Sequence, residues 1–234
     1  MKIGLALFAA ALVTAKAGDP LPPDGLPPTA RQSPAFQIVT DVPGLPRVPL
    51  IGDSISIGYT AAVRNALAGQ ANVHRAPVNC GPSSKGAAEL DAWLGTGRWD
   101  AIHFNFGLHD VRRLDGGVLN VSPEAYAANL RLIVARLRRT GARLIWATTT
   151  PVPAKLKAGQ YPRDPADIGR YNAIAAVIMA DAGVKTNDLH AVLSDRLGEL
   201  QRPEDVHLNE RGYAALAAKV AATIAEVLPA KEKL

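Results

Sequence analysis

Five short apolar runs recur along the chain, at 47–52, 72–75, 100–106, 143–149 and 184–189, and stretches with helical spacing separate them. No other feature constrains the fold as tightly. Strand-length runs that stay apolar, rather than alternating with polar residues, are buried on both faces. With helices between them they predict a parallel sheet covered on both sides, an α/β architecture. The helices have recognisable ends. One follows Gly52-Asp53-Ser54 and runs to Leu67, stopped by Gly69. A second ends at Leu94, closed by Gly95. A third opens at Ser122-Pro123 and carries Tyr126, Leu130, Ile133, Val134 and Leu137 to Gly141. A fourth opens at Asp164-Pro165 and runs through Ile168, Tyr171, Ile174 and Ile178 to Gly183. The last, about 210–228, carries Tyr213, Leu216, Val220, Ile224 and Leu228. Serine or aspartate before proline suits a helix start, and glycine suits its end.

Upstream of this pattern the chain changes character. Lys2, an apolar run from Ile3 to Ala15 and the small-x-small site Ala15-Lys16-Ala17 predict a secretory signal peptide over 1–17. The run is too short to span a bilayer comfortably. Residues 18–46 are proline-rich, which predicts a leader or tether, with a single domain over 47–230. Cys80 is the only cysteine, so no intrachain disulfide forms despite export, and a lipoprotein anchor is not expected. Without Lys2 and Lys16 of the signal peptide the 26 basic residues fall to about 24 against 21 acidic ones, and the basic residues are scattered, which gives no reason to expect a nucleic-acid partner. A protein that is 48% hydrophobic and 20% charged reads as soluble and globular.

Parallel sheets bind ligands beyond the carboxyl ends of their strands. Ser54, Gly81, His109 and Thr149-Thr150 all stand at such ends, and His207, just before the last helix, can return to the same rim. The residue types suit acyl transfer. A serine hydroxyl becomes a nucleophile when a base takes its proton. His207 is that candidate base, and Glu204 or Asp205 would orient its ring. Backbone N–H groups of Ser54 and Gly81 would stabilise the oxyanion, with a third donor from a side chain after the third strand. Alternatively Ser54 merely caps a helix.

In these residues the chain resembles the SGNH (GDSL-type) hydrolase superfamily. Gly52-Asp53-Ser54-Ile55-Ser56 looks like its first block, with Ser54 as nucleophile. Gly81-Pro82-Ser83-Ser84 looks like its second, with Gly81 as oxyanion donor. Gly107-Leu108-His109-Asp110 stands where the family has Gly-x-Asn-Asp, and Glu204-Asp205-Val206-His207 where it has Asp-x-x-His. The resemblance covers roughly 47–228. It implies a three-layer α/β/α sandwich around a five-stranded parallel sheet, the flavodoxin-like SGNH hydrolase fold, and an esterase, lipase, deacetylase or acyltransferase activity. Two departures stand out. His109 replaces the asparagine that donates to the oxyanion; a protonated His109 would donate more strongly and tie activity to pH, and Asn105 is the alternative donor. Spacing favours Glu204 as the acid, although Asp205 is the residue type the family uses, and some members manage with a Ser-His dyad.

The remaining candidates have plainer readings. His103 is expected to be a satisfied core residue, and His74 and His190 to pack or face solvent. Cys80 is expected to be a small buried side chain, and Trp93, Trp99 and Trp146 to be core. No cofactor is implied. A metal site from His109, Asp110, Asp205 and His207 lacks a helical His-x-x-x-His pair. The sequence therefore predicts an exported serine esterase acting on a small acyl ester or an acetylated glycan. An O-acyltransferase using the same residues and a non-catalytic glycan- or envelope-binding module are the competing classes.

Overall fold

The computed structural model describes residues 32–228; the expected signal peptide lies outside the described residues, as does the start of the leader. Five parallel strands form one sheet: β1 (Arg47–Ile51), β2 (Asn72–Arg75), β3 (Ala101–Phe104), β4 (Arg143–Ala147) and β5 (Lys185–Asn187), in the order β2-β1-β3-β4-β5. The interior strand β1 contains Pro49, which has no N–H to give. Its Cα register with β3 is confined to Leu50 and Ile51, just beyond that proline.

The helices are α1 (Ser54–Ala66), α2 (Ser83–Leu94), α3 (Pro123–Arg138), α4 (Pro165–Asp181), the short α5 (Leu189–Ser194) and α6 (Leu197–Leu200), and α7 (Glu210–Val227). α1 packs on α7 on one side of the sheet, while α2, α3 and α4 pack side by side on the other. The result is the three-layer α/β/α sandwich. Leu50, Ile102, Phe104, Ile145 and Trp146 are fully buried between the layers. α1 and α7 approach closely at Gly58, where a Cβ would stand 2.1 Å from Cε1 of Tyr213. That close packing brings the segment preceding α7 against the start of α1.

Several helix starts follow from the chemistry of their caps. Ser122 Oγ accepts from Ala125 N, Asp164 Oδ1 from Ala166 N and Asn209 Oδ1 from Gly212 N, each satisfying one of the donors that a helix start leaves open. β3 is shorter than the apolar run suggested. It ends at Phe104, so Asn105 lies one residue beyond the strand rather than inside it.

The described part of the proline-rich leader packs on the domain. A single 3₁₀ turn, Pro34–Phe36, lies against α1 with Phe36 buried, and Arg64 Nη1 donates to Pro34 O at 2.8 Å. Further along, the Asn72 side chain pairs with both Val42 N and Val42 O, and Asp41 bridges Arg47 and His74. β2 is an edge strand, and this strap lies beside it through side-chain contacts.

Candidate active site

The strand order β2-β1-β3 reverses direction at β1, so the crevice past the carboxyl ends of β1 and β3 is the place where such sheets bind ligands. Ser54 stands there as the first residue of α1. It is not the helix cap. Asp53 takes that role, its Oδ1 accepting Ile55 N at 2.9 Å. The hydroxyl of Ser54 instead faces His207, with Oγ and Nε2 2.9 Å apart. Across the ring, His207 Nδ1 is 2.7 Å from Asp205 Oδ1, and the same oxygen accepts His207 N at 3.0 Å. Asp205 Oδ2 accepts from Lys157 Nζ at 2.6 Å. Burial alone would raise the Asp205 pKa. Hydrogen bonds from Lys157, the His207 backbone, Gln160 and the His207 ring outweigh that and hold it well below the usual carboxylate range. An ionised Asp205 accepts only, so His207 carries its proton on Nδ1 and turns a lone pair to Ser54.

Glu204, the acid favoured by spacing, does not take this position. Its backbone has φ 50°, the only positive value at a non-glycine among the described residues, and its carboxylate pairs with Lys155 at 2.6 Å. That turn, in which Glu204 O also accepts Lys157 N, carries Glu204 outward and brings Asp205 under the histidine.

Gly81 lies in the loop before α2 with φ +63°, a conformation suited to glycine. Its N–H donates to Asn79 Oδ1 at 3.1 Å, so in this state it already has an acceptor. His109 follows β3, and its Nδ1 is 3.9 Å from where a Cβ on Gly81 would be. The ring is half-buried, and Arg112 Nη2 lies 3.2 Å from Nε2. Burial, then the nearby Arg112 and Arg163 guanidiniums and the His207 ring, push the His109 pKa down to about 4 against an opposing pull from Asp53. His109 is thus neutral at pH 7, so its donor is an imidazole N–H and not the stronger imidazolium. Asn105 is committed elsewhere, its Nδ2 donating to Ala147 O at 2.7 Å. The fully buried Asp110 ties the two loops together by accepting the N–H and hydroxyl of Ser83. Burial pushes its pKa up to about 6 in spite of those hydrogen bonds.

The other singled-out residues lie in ordinary surroundings. His103 is buried with its pKa lowered to about 3 by desolvation. Its Nε2 meets the Asn187 amide at 3.1 Å, and its Nδ1 has no partner, so it is only half satisfied. His74 pairs with Asp41, and His190 with Ser194. Cys80 is buried, its thiol pushed up to about 11 by desolvation, and Trp93, Trp99 and Trp146 are core. Among the described residues no group of His, Cys, Asp or Glu is arranged to hold a metal ion, and no helix is long and apolar enough to cross a membrane.

The sequence profile of the GDSL-like lipase/acylhydrolase family matches residues 50–215, a span that contains Ser54, Gly81, His109, Asp205 and His207. The chain belongs to this family of serine ester hydrolases. No curated protein matches it. Among solved structures it is similar to a lipase/acylhydrolase from Enterococcus faecalis, with 21% identity and a TM-score of 0.68 over 81% of this chain and 100% of that one. It is also similar to the acetyl xylan esterase AlAXEase, with 18% identity and a TM-score of 0.65 over 76% and 99% of the two chains. The acetylxylan esterase Axe2 from Geobacillus stearothermophilus gives 19% identity and a TM-score of 0.63 over 76% and 94%. At these identities the likeness is one of fold.

Sequence reasoning about this GDSL hydrolase overlooked its cations. Lys157 holds the far side of Asp205, and Arg112 and Arg163 flank His109. Arg75 lies buried behind the first block, donating to Ser56 Oγ at 2.7 Å and to Gly52 O at 2.9 Å. Only Arg75 carried a usable signal: a charge ending an apolar strand that points at the same rim. The other three reach in from irregular loops.

Proposed function

We propose that this GDSL hydrolase is an exported serine esterase that cleaves short acyl esters, with O-acetyl groups on glycans as its substrate class. The observation that carries the mechanism is the unbroken hydrogen-bonded chain Ser54–His207–Asp205. Ser54 Oγ attacks the ester carbonyl carbon as its proton passes to His207 Nε2, and Asp205 stabilises the resulting imidazolium. The tetrahedral oxyanion meets N–H donors from Ser54 and His109, and from Gly81 once its N–H leaves Asn79 Oδ1. His207 returns the proton to the leaving alcohol, leaving an acyl-Ser54. Water, deprotonated by His207, then attacks that ester. The carboxylic acid departs and Ser54 regains its proton.

The short-acyl reading draws on the acetyl xylan esterases that share the fold. The glycan reading draws on the two acetyl xylan esterases that share the fold, and export on the N-terminal signal pattern. The intact Ser54–His207 pair argues against a module that binds without turnover.

The test compares p-nitrophenyl acetate, butyrate and decanoate, and acetylated xylan, for the wild type and Ser54→Ala. Acetate should be turned over fastest, and Ser54→Ala should lower kcat by about 10⁴-fold or more, since the triad acts as a unit. Undiminished turnover in Ser54→Ala would sink the mechanism. Rates that rise with chain length would sink the short-acyl assignment. Export predicts a mature N-terminus at Gly18 in the extracytoplasmic fraction.

A further inference from the structure

Building on the serine-hydrolase reading above, we propose that Arg112 is a positioning residue of the oxyanion hole. Its guanidinium fixes His109 as a neutral ring that carries its one proton on Nδ1, the nitrogen facing Gly81.

The argument starts from what a guanidinium can do. Arginine has five N–H donors and no acceptor. Arg112 Nη2 lies 3.2 Å from His109 Nε2, so that nitrogen must offer a lone pair. An imidazole with a lone pair on Nε2 has its hydrogen on Nδ1. Two other forms exist, the Nε2–H tautomer and the imidazolium, and both would press a hydrogen on Nε2 against the guanidinium. One contact therefore excludes both. The opposite edge of the ring presents Nδ1 to Gly81, 3.9 Å from the position of a Cβ there.

An asparagine at this place would need no such help, because an amide nitrogen is always a donor. A histidine does need it, since its neutral form can turn either a donor or an acceptor toward the hole. The arrangement is braced. The Arg112 guanidinium lies 5.2 Å from the ring centre of Tyr161, Arg112 O accepts Asn120 N, and Asn120 Nδ2 donates to His109 O at 3.0 Å. The charged and titratable groups around the ring come from several elements: Asp53 after β1, Arg163 from the loop before α4, and His207 before α7, while Lys85 on α2 stands beside Gly81. Arg112 and Arg163 are cations, and together with burial they oppose a second proton on the ring.

The test reads the tautomer directly. Histidine in the full-length mature protein is labelled with ¹⁵N, and His109 is assigned by the signals lost in His109→Asn. Long-range ¹⁵N–¹H spectra at pH 6 to 8 should show Nδ1 protonated and Nε2 unprotonated. In Arg112→Met the two nitrogens should move toward averaged shifts, and Arg112→Lys, which also only donates, should restore the wild-type pattern at least in part. With p-nitrophenyl acetate, Arg112→Met should lower kcat about tenfold by depleting the competent form of the ring, with KM little changed. Made on a His109→Asn background, the same change should cost under about twofold, because the coupling runs through the imidazole. A wild-type His109 protonated on Nε2 would overturn the proposal, as would equal costs of Arg112→Met on the two backgrounds. If Arg112→Met does not fold, the wild-type spectrum still decides. Ser54→Ala tests the hydrolase mechanism separately, and its result leaves the tautomer measurement untouched.

Discussion

Glu204 and Asp205 are adjacent acids of which only one touches the base, so a pair of isosteric amides should separate them sharply. In Asp205→Asn the side-chain oxygen can still accept the His207 backbone N–H, now 3.0 Å from Oδ1, or the ring proton 2.7 Å away, but an amide brings no charge to either. Its nitrogen, facing the ring in the other orientation, would donate to Nδ1 and force the proton onto Nε2, where Ser54 needs a lone pair. Loss of charge also removes the stabilisation of the imidazolium formed as Ser54 attacks. In a hydrolase triad the same substitution is worth about 10⁴ in kcat, and about 10³–10⁴ is expected here because Lys157 is left without its carboxylate partner as well. Glu204→Gln breaks an exposed ion pair with Lys155, which solvent screening keeps weak and which does not touch His207. It should change kcat by less than about twofold. The assay is kcat and KM on p-nitrophenyl acetate at pH 7 to 8, with circular dichroism and melting curves to show that both variants are folded. A large loss in Glu204→Gln with a small one in Asp205→Asn would refute the assignment. Equal small losses would mean that the histidine works as a dyad, braced by the loop.

The remaining predictions concern the hole and the packing behind it. His109→Ala should lower kcat about 10²–10³-fold with little change in KM, since the lost donor acts on the oxyanion; a change under threefold would remove His109 from the site. Asp110 keeps its proton to about pH 6 in the fold but loses it near pH 3.8 when unfolded, so the unfolded chain binds fewer protons between those values and stability falls as pH rises through that window. Measured against Asp110→Asn by denaturant titration, the wild type should lose about 3 kcal/mol of relative stability from pH 3 to pH 7, and a flat difference would count against the raised pKa. Gly58→Ala should destabilise by about 1–3 kcal/mol, because its Cβ would overlap the Tyr213 ring; an unchanged melting temperature would mean that α1 and α7 separate freely.

What the sequence made legible was whatever is local or periodic. The apolar runs mark the five strands, and Ser122-Pro123 and Asp164-Pro165 mark helix starts whose caps form as expected. The contacts that hold the proline-rich strap beside β2 were not legible. The strap is held by side chains of Asp41 and Asn72 that meet partners far along the chain, and a proline-rich stretch has no period to betray such contacts. The choice of acid was equally hidden, because it turns on a single backbone angle, φ 50° at Glu204, which decides which of two neighbours faces inward. The cations escaped for another reason. Lysine and arginine reach across several ångströms from loops whose course the sequence does not reveal, so Lys157 met Asp205 and Arg112 met His109 without any motif.

Those two contacts explain how a site with two histidines keeps their duties apart. Both rings carry their proton on Nδ1, but for opposite reasons and with opposite effect. At His207 a carboxylate takes the Nδ1–H, so the nitrogen turned toward Ser54 is a bare lone pair and the ring can gain a proton beside a negative charge. At His109 a guanidinium takes the Nε2 lone pair, so the nitrogen turned toward Gly81 is an N–H donor and a second proton is opposed by positive charge. The proton leaving Ser54 therefore has one favourable destination, and the oxyanion that forms beside it meets a donor that does not itself titrate in the working range. Exchanging the partners would exchange the roles: an acid beside His109 would make it a competing base, and a cation beside His207 would make it a poor one. The identity of the residue behind each ring, more than the histidine itself, decides which is base and which is donor.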